Sequence, residues 1–166
     1  MMDTRRLVLA AIFAAIPVVL SPLNIPVAAI GAKALPWQHM VNAIAGVLLG
    51  PWYAMLAAAV TATIRISLGT GTPLAFPGGM AGALVVGLAY RIWRDDRLAL
   101  LEPLGTGPIG ATVGALLVAP MVMGQARPLG AMMIAFLASS IPGAIIGFVV
   151  LKVIRRAGVQ TLPDAR

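Results

Sequence analysis

Pro36-Trp37-Gln38-His39-Met40-Val41-Asn42 is the start of a polar island in an otherwise apolar chain. The island continues through Gly50-Pro51-Trp52-Tyr53 and Arg65 to the loop Gly69-Thr70-Gly71-Thr72-Pro73-Leu74-Ala75-Phe76-Pro77-Gly78-Gly79. Around it the sequence is mostly Ala, Leu, Val, Ile, Met and Gly. Inside it lie the only histidine, two of the three tryptophans, a Gln–Asn pair and an arginine within an apolar run. Polar groups in hydrocarbon cost several kcal/mol each unless paired, so an island of this kind reads as a site.

The surroundings decide what kind of site it is. The 166 residues are 60% hydrophobic and 10% charged, with mean hydropathy +0.98. A soluble domain of this length has too little interior to hide so much apolar side chain, so the expected solvent is lipid. In lipid the backbone must satisfy itself, which leaves helices or a closed barrel. Barrel strands alternate apolar and polar residues, whereas these runs are continuously apolar. A span takes roughly 20 residues, and six apolar blocks nearly exhaust the chain. The expected fold is an all-α membrane protein, a bundle of six transmembrane helices forming a single domain over residues 1–166 with no soluble appendage. The helices are expected near 6–20, 37–49, 52–68, 78–93, 107–123 and 129–153.

Six spans put both termini on one side. Arg5, Arg6, Arg91, Arg94, Arg97, Lys152, Arg155 and Arg156 flank helix ends there, against Lys33 and Arg127 on the other side. That asymmetry predicts cytoplasmic termini. Asp95, Asp96 and Glu102 fall in the linker between helices four and five, and are expected in the cytoplasm with Asp3 and Asp164. A cleaved signal peptide would also begin with Arg5-Arg6 before an apolar run. Leu7–Leu20, however, carries Pro17, lacks a cleavage site and is followed by further apolar segments. In the loop from Ser21 to Pro36, the apolar Val27-Ala28-Ala29-Ile30 points to a re-entrant segment. Pro120 and Pro142 are expected kinks. Gly78/Gly82 and Gly110/Gly114 read as close-packing seams, and Ala10/Ala14 with Ala11/Ala15 as small-residue pairs that let another helix approach.

Several function classes are excluded early. With no cysteine there is no disulfide, thiol nucleophile or Cys-based metal site. The net charge of +7 is scattered among loop ends, which fits topogenic charge rather than a nucleic-acid surface. No Gly-xxxx-Gly-Lys-Ser/Thr occurs, so the chain does not hydrolyse ATP through a P-loop. One histidine, no carboxylate expected in the membrane and no Gly-x-Ser-x-Gly leave catalysis and metal binding without their groups. No enzyme activity, metal or cofactor is expected.

Gln38 and Asn42 lie four apart and His39 and Asn42 three apart, so they project from one helical surface. Together they offer donors and acceptors beside the flat face of Trp37, a set suited to a small planar heterocycle bearing a hydroxyl. Trp37 also reads as an interfacial belt residue and His39 as a water-facing helix start. Arg65, near the outer end of its helix, either snorkels outward or uses backbone carbonyls, Asn42, Gln38, water or a ligand acceptor. The loop Gly69–Gly79 has the glycines and prolines of a lid, with Thr70, Thr72 and Phe76 as its candidate contacts, and without Lys it is a poor phosphate cradle. Gln125 and Ser139, with Ser140, are the polar candidates of the last two helices.

At Trp37-Gln38-His39-Met40-Val41-Asn42, Leu48-Leu49-Gly50-Pro51-Trp52-Tyr53, Arg65, Leu68-Gly69-Thr70-Gly71-Thr72 and Ala75-Phe76-Pro77-Gly78, the chain resembles the ThiW family. These are substrate-binding S components of energy-coupling-factor transporters. The resemblance is densest over Pro36–Arg91 and poorer in helices five and six. It implies uptake of a thiamine precursor, hydroxyethylthiazole first, by a multi-pass protein of a prokaryotic cell membrane. It also implies a transmembrane coupling subunit, docked on the Ala-xxx-Ala pattern that Ala10/Ala14 and Ala11/Ala15 match, and two cytoplasmic ATPases. The competing readings are an S component for thiamine or a pyrimidine precursor, a stand-alone channel or facilitator for a small neutral solute, and an assembly subunit that binds no small molecule.

Overall fold

The structure, a computed structural model, describes residues 4–23, 25–27 and 32–158. Helix α1 (Thr4–Val19) leads into a short antiparallel hairpin of β1 (Ile25–Val27) and β2 (Ala32–Ala34). Then follow α2 (Pro36–Leu49), α3 (Pro51–Ser67), α4 (Ala75–Trp93), α5 (Asp96–Val122) and α6 (Leu129–Arg156). Helices α2 and α3 both begin with proline, whose missing N–H falls where no intrahelical partner exists. Between them Gly50 turns at φ 83°, a backbone conformation that glycine adopts without steric cost. The expected re-entrant segment Val27–Ile30 lies partly outside the described residues, and the backbone around it is the hairpin.

The bundle is helical, and among the described residues three helices are long and apolar enough to cross a membrane: α4, α5 and α6. The first three are shorter, at 16, 14 and 17 residues. Helix α2 packs against α3, α4 and α6, with Ile44 and Val47 in a core shared with Val86, Tyr90 and Leu151. Helix α6 runs through Pro142 without interruption of the helix.

Helix five departs most from expectation. It begins at Asp96 rather than near residue 107, so Glu102 belongs to a helix inside the bundle and not to a cytoplasmic linker. The reason lies in the residues just before it. Asp95 accepts from the Arg97 N–H at 2.8 Å and starts a 3-10 turn over Asp96–Leu101. Arg155 of α6 grips both oxygens of Asp96 at 2.8 Å and donates to the Tyr90 hydroxyl at 3.0 Å. Leu98 and Ala99 then pack into the core around Val86 and Leu151. Apolar burial and one ion pair together turn a charged stretch inward. Beyond Glu102, α5 is π-helical over Gly105–Ala111 and Gly114–Val118. Pro108 and Pro120 lack the N–H groups that an α ladder would need there.

The expected glycine seam is present between α4 and α5, where a Cβ on Gly110 would stand 2.7 Å from the Gly78 Cα. The starts of α1, α3 and α5 and the ends of α2, α4 and α6 lie at one end of the bundle. Arg6 donates to the Leu49 carbonyl at that end, and Gly87 lies against Pro51 there. The opposite end holds the start of α2, the end of α3 and the hairpin, where the Trp37 indole donates to the Leu23 carbonyl at 2.7 Å.

The two alanine pairs of α1 face different ways. Ala10 and Ala14 are buried in the core with Ala54, Ala57 and Ala58 of α3, and Thr61 donates to the Ala14 carbonyl at 3.0 Å. That pair is therefore used inside the bundle. Ala11 and Ala15 are exposed on the outer face of the same helix.

Candidate functional site

Gln38, His39 and Asn42 leave the first two turns of α2 on the side that meets α4 and α5. Room for them comes from α4, which has glycine where they approach. A Cβ on Gly79 would stand 2.7 Å from Gln38 Nε2 and 3.6 Å from Asn42 Nδ2. One turn further along, a Cβ on Gly82 would stand 2.3 Å from Glu102 Oε1 and 2.5 Å from Thr106 Oγ1. No side chain other than hydrogen fits at Gly82 with this arrangement.

Into that space α5 projects Glu102 and, four residues on, Thr106, both 0% exposed. Glu102 Oε1 lies 2.8 Å from His39 Nδ1, accepts from Asn42 Nδ2 at 3.3 Å, and lies 2.8 Å from Thr106 Oγ1. The Thr106 hydroxyl also reaches the Gly78 carbonyl at 3.0 Å, so its single proton serves one of two acceptors. A buried carboxyl costs several kcal/mol unless its partners are good. Among the described residues Glu102 has no Lys or Arg partner, and His39 is its only ionisable contact. The His39 side chain keeps 11% exposure, which makes it the member of the group nearest the surface.

A second group lies on the other flank of α2. Arg65, 7% exposed, donates from Nη1 to Gln38 Oε1 and from Nη2 to the Thr70 carbonyl at 3.0 Å. The Thr70 hydroxyl returns a bond to the Arg65 carbonyl at 3.2 Å. The guanidinium thus ties the loop after α3 to the start of α2, instead of reaching outward to water. Gln38 and Asn42, one turn apart, connect the arginine group to the carboxyl group.

Ser139 of α6 accepts from the Leu35 backbone N–H at 2.7 Å and so fixes the entry into α2. Gly143 lets α6 come close to His39, since a Cβ there would stand 2.6 Å from the His39 Cβ. Trp37 is half-buried beside the α1 end, and Phe76 half-buried at the start of α4. Thr72 and Gln125 are exposed, and the Gln125 side chain accepts from Arg127 at 3.2 Å. The structure therefore brings Gln38, His39, Asn42 and Arg65 together, with Thr70 joined through its backbone, and leaves Thr72 and Gln125 outside the cluster.

Glu102 and Thr106 are the two residues of the site that sequence reading missed. Their signal is visible in Leu98-Ala99-Leu100-Leu101-Glu102-Pro103-Leu104-Gly105-Thr106: a single acid inside an apolar run. It was masked by the nearby Asp95, Asp96 and Arg97, which make the whole stretch resemble a charged linker.

The arrangement offers several hydrogen-bonding groups, one cation and one carboxyl inside the bundle, and among the described residues no three metal-ligating side chains come together. It can bind and orient a small polar molecule. No curated protein and no solved structure matches the chain. Over residues 7–157 the chain matches the family model described as thiamine-precursor transporter protein (ThiW), and with nearly its whole length so matched it belongs to the ThiW family of thiamine-precursor transporters.

Proposed function

We propose that this chain is the membrane-embedded substrate-binding subunit of an energy-coupling-factor transporter, and that its ligand is hydroxyethylthiazole. The observation that carries the reading is the buried polar group on α2, where Gln38, His39 and Asn42 meet Glu102, Thr106 and Arg65. A bundle with no solute to bind gains little from this, since replacing buried polar sets by packed apolar residues is often neutral or stabilising. A small heterocycle with a hydroxyl uses the same groups well: donors and acceptors at its edge, and an aromatic face from Trp37 or Phe76.

In this reading the termini are cytoplasmic, the chain crosses the membrane with all six helices, and the site opens outward. The α3–α4 loop closes over the ligand, with Arg65 holding Thr70 as its hinge and Thr72 at its rim. Gln125 lies at the mouth, and Ser139 sets the entry of α2. Energy comes from two cytoplasmic ATPases through a transmembrane coupling subunit, which docks on the exposed Ala11/Ala15 face of α1. Transport follows from reorientation of the whole bundle.

The test is a calorimetric titration of the purified chain with hydroxyethylthiazole, paired with flux into vesicles containing this chain alone. Saturable binding without flux is the expected result. Flux without ATPases would instead establish a facilitator, and binding only of a pyrimidine or of thiamine would reassign the substrate.

A further inference from the structure

Glu102 Oε2 is buried and has no hydrogen-bond partner among the described residues. Its twin is crowded, with His39 Nδ1, Asn42 Nδ2 and Thr106 Oγ1 all on Oε1. Asn42 and Thr106 are placed to donate to Oε1, so an ionised Glu102 leaves Oε2 as an acceptor with nothing to accept. Leaving such a group unsatisfied costs more than a made bond gains, and an apolar residue at 102 would have avoided it. At 0% exposure, Glu102 borders no water-sized space that would relieve the cost.

The helix that carries this oxygen is also the one with an irregular backbone. Directly after Glu102-Pro103-Leu104, α5 runs as a π-helix over Gly105–Ala111, and wide turns of this type occur often at functional sites. Contact between Oε2 and a molecule entering past His39, the partly exposed neighbour, requires the Glu102 turn to move against α4.

We infer that Glu102 Oε2 is the acceptor for the ligand's hydroxyl, and that this one atom makes the site choose a neutral alcohol over its ether and over its phosphate ester. The inference rests on the reading of the chain as the binding subunit for a small thiamine precursor. An ether has no proton to give Oε2. A phosphate ester has lost the hydroxyl and brings negative charge to a carboxyl group. The nearby cation, Arg65, is already bound to Gln38 and to the Thr70 carbonyl.

The experiment titrates the purified chain and its Glu102→Gln variant with three probes: hydroxyethylthiazole, its O-methyl ether and its phosphate ester. In the variant the amide oxygen takes the place of Oε1 beside His39, Asn42 and Thr106, and the amide NH2 stands where Oε2 stood. A donor then replaces an acceptor, and it bonds an alcohol or an ether oxygen alike. The wild type should prefer the alcohol to the ether by at least about tenfold, because a site built to accept a proton rejects analogues that lack it. It should bind the phosphate at least about a hundredfold more weakly than the alcohol. In Glu102→Gln the alcohol-to-ether preference should fall to about threefold or less. An unchanged preference in the variant, or a wild type that binds the phosphate as tightly as the alcohol, overturns the inference. If Glu102→Gln fails to fold by thermal unfolding, Glu102→Asp keeps the acceptor but withdraws it by one methylene. It should lower alcohol affinity and the preference together, and a preference left intact overturns the inference equally. If no thiazole binds the wild type, the substrate reading has failed by itself. The same comparison with hydroxymethylpyrimidine and its methyl ether then decides the role of Glu102.

Discussion

His39 Nδ1 and Glu102 Oε1 stand 2.8 Å apart, although 63 positions separate the two residues in the chain. The only histidine of the sequence and the only buried acid among the described residues form one pair, with Gly82 of α4 providing the space beside it. Each would be costly alone in an apolar bundle. Together with Asn42 and Thr106 they make one buried polar centre.

Removing members of that centre should weaken ligand binding, and His39→Ala should also lower the midpoint of thermal unfolding, because it leaves the buried Glu102 without its ionisable partner. His39→Ala and Asn42→Ala are each expected to cost roughly 1–3 kcal/mol of binding, about ten- to hundredfold, because a partner is left unpaired in a dry site. Arg65→Lys keeps the charge but loses the planar fork that holds both Gln38 and the Thr70 carbonyl, so it should weaken binding as well. Calorimetric titration with hydroxyethylthiazole reads all three. Wild-type affinity in both alanine variants would move the site away from α2.

Gly82→Ala is expected to be far more damaging than its single methyl suggests. The added carbon would stand 2.3 Å from Glu102 Oε1 and 2.5 Å from Thr106 Oγ1, and overpacking of this kind costs about 1–3 kcal/mol. Gly130→Ala, near the start of α6, is the control, since nothing lies within 4 Å of its added carbon. Thermal unfolding should show a loss for the first and no loss for the second. Equal midpoints for both would mean that α4 and α5 do not meet at Gly82 as described.

The two alanine pairs of α1 should separate by function. Ala11→Leu with Ala15→Leu adds bulk to an exposed face and is expected to abolish ATP-driven uptake while ligand binding persists. Ala10→Leu with Ala14→Leu adds bulk inside the core and should lower stability, with binding lost as a consequence. Uptake assays and thermal unfolding on both double variants make the comparison. Intact uptake with Ala11→Leu/Ala15→Leu would remove that face from the coupling interface.

The basic asymmetry gives a topology that single cysteines can check in this cysteine-free chain. Thr72→Cys should react with an impermeant thiol reagent added to intact cells, and Arg156→Cys only after the membrane is opened. The opposite pattern would invert the bundle.

Much of the molecule is legible before any tertiary structure. Mean hydropathy of +0.98 leaves lipid as the natural solvent, and hydrogen bonding in lipid then calls for helices. Proline and glycine at Gly50-Pro51 mark a turn locally, and the spacing of Gln38, His39 and Asn42 puts them on one surface whatever lies opposite. These are properties of composition and of short-range backbone geometry.

What lies opposite is a long-range matter. The path of residues 96–106 depends on Arg155 gripping Asp96 from the far end of the chain and on Leu98 and Ala99 finding the core of α2, α4 and α6. Seen alone, Asp95-Asp96-Arg97 followed five positions later by Glu102 looks like a solvated linker, because charge counts do not tell which residues a fold will pull inward. The same holds for α1, where Ala10/Ala14 and Ala11/Ala15 have identical spacing and only the packing of α3 separates a buried pair from an exposed one. The sequence by itself determined the solvent, the helical class and one side of the buried polar cluster. The tertiary structure alone decided that an acid joins this cluster, because a buried carboxyl is stabilised by partners distant in sequence, and no local pattern records where those partners will stand.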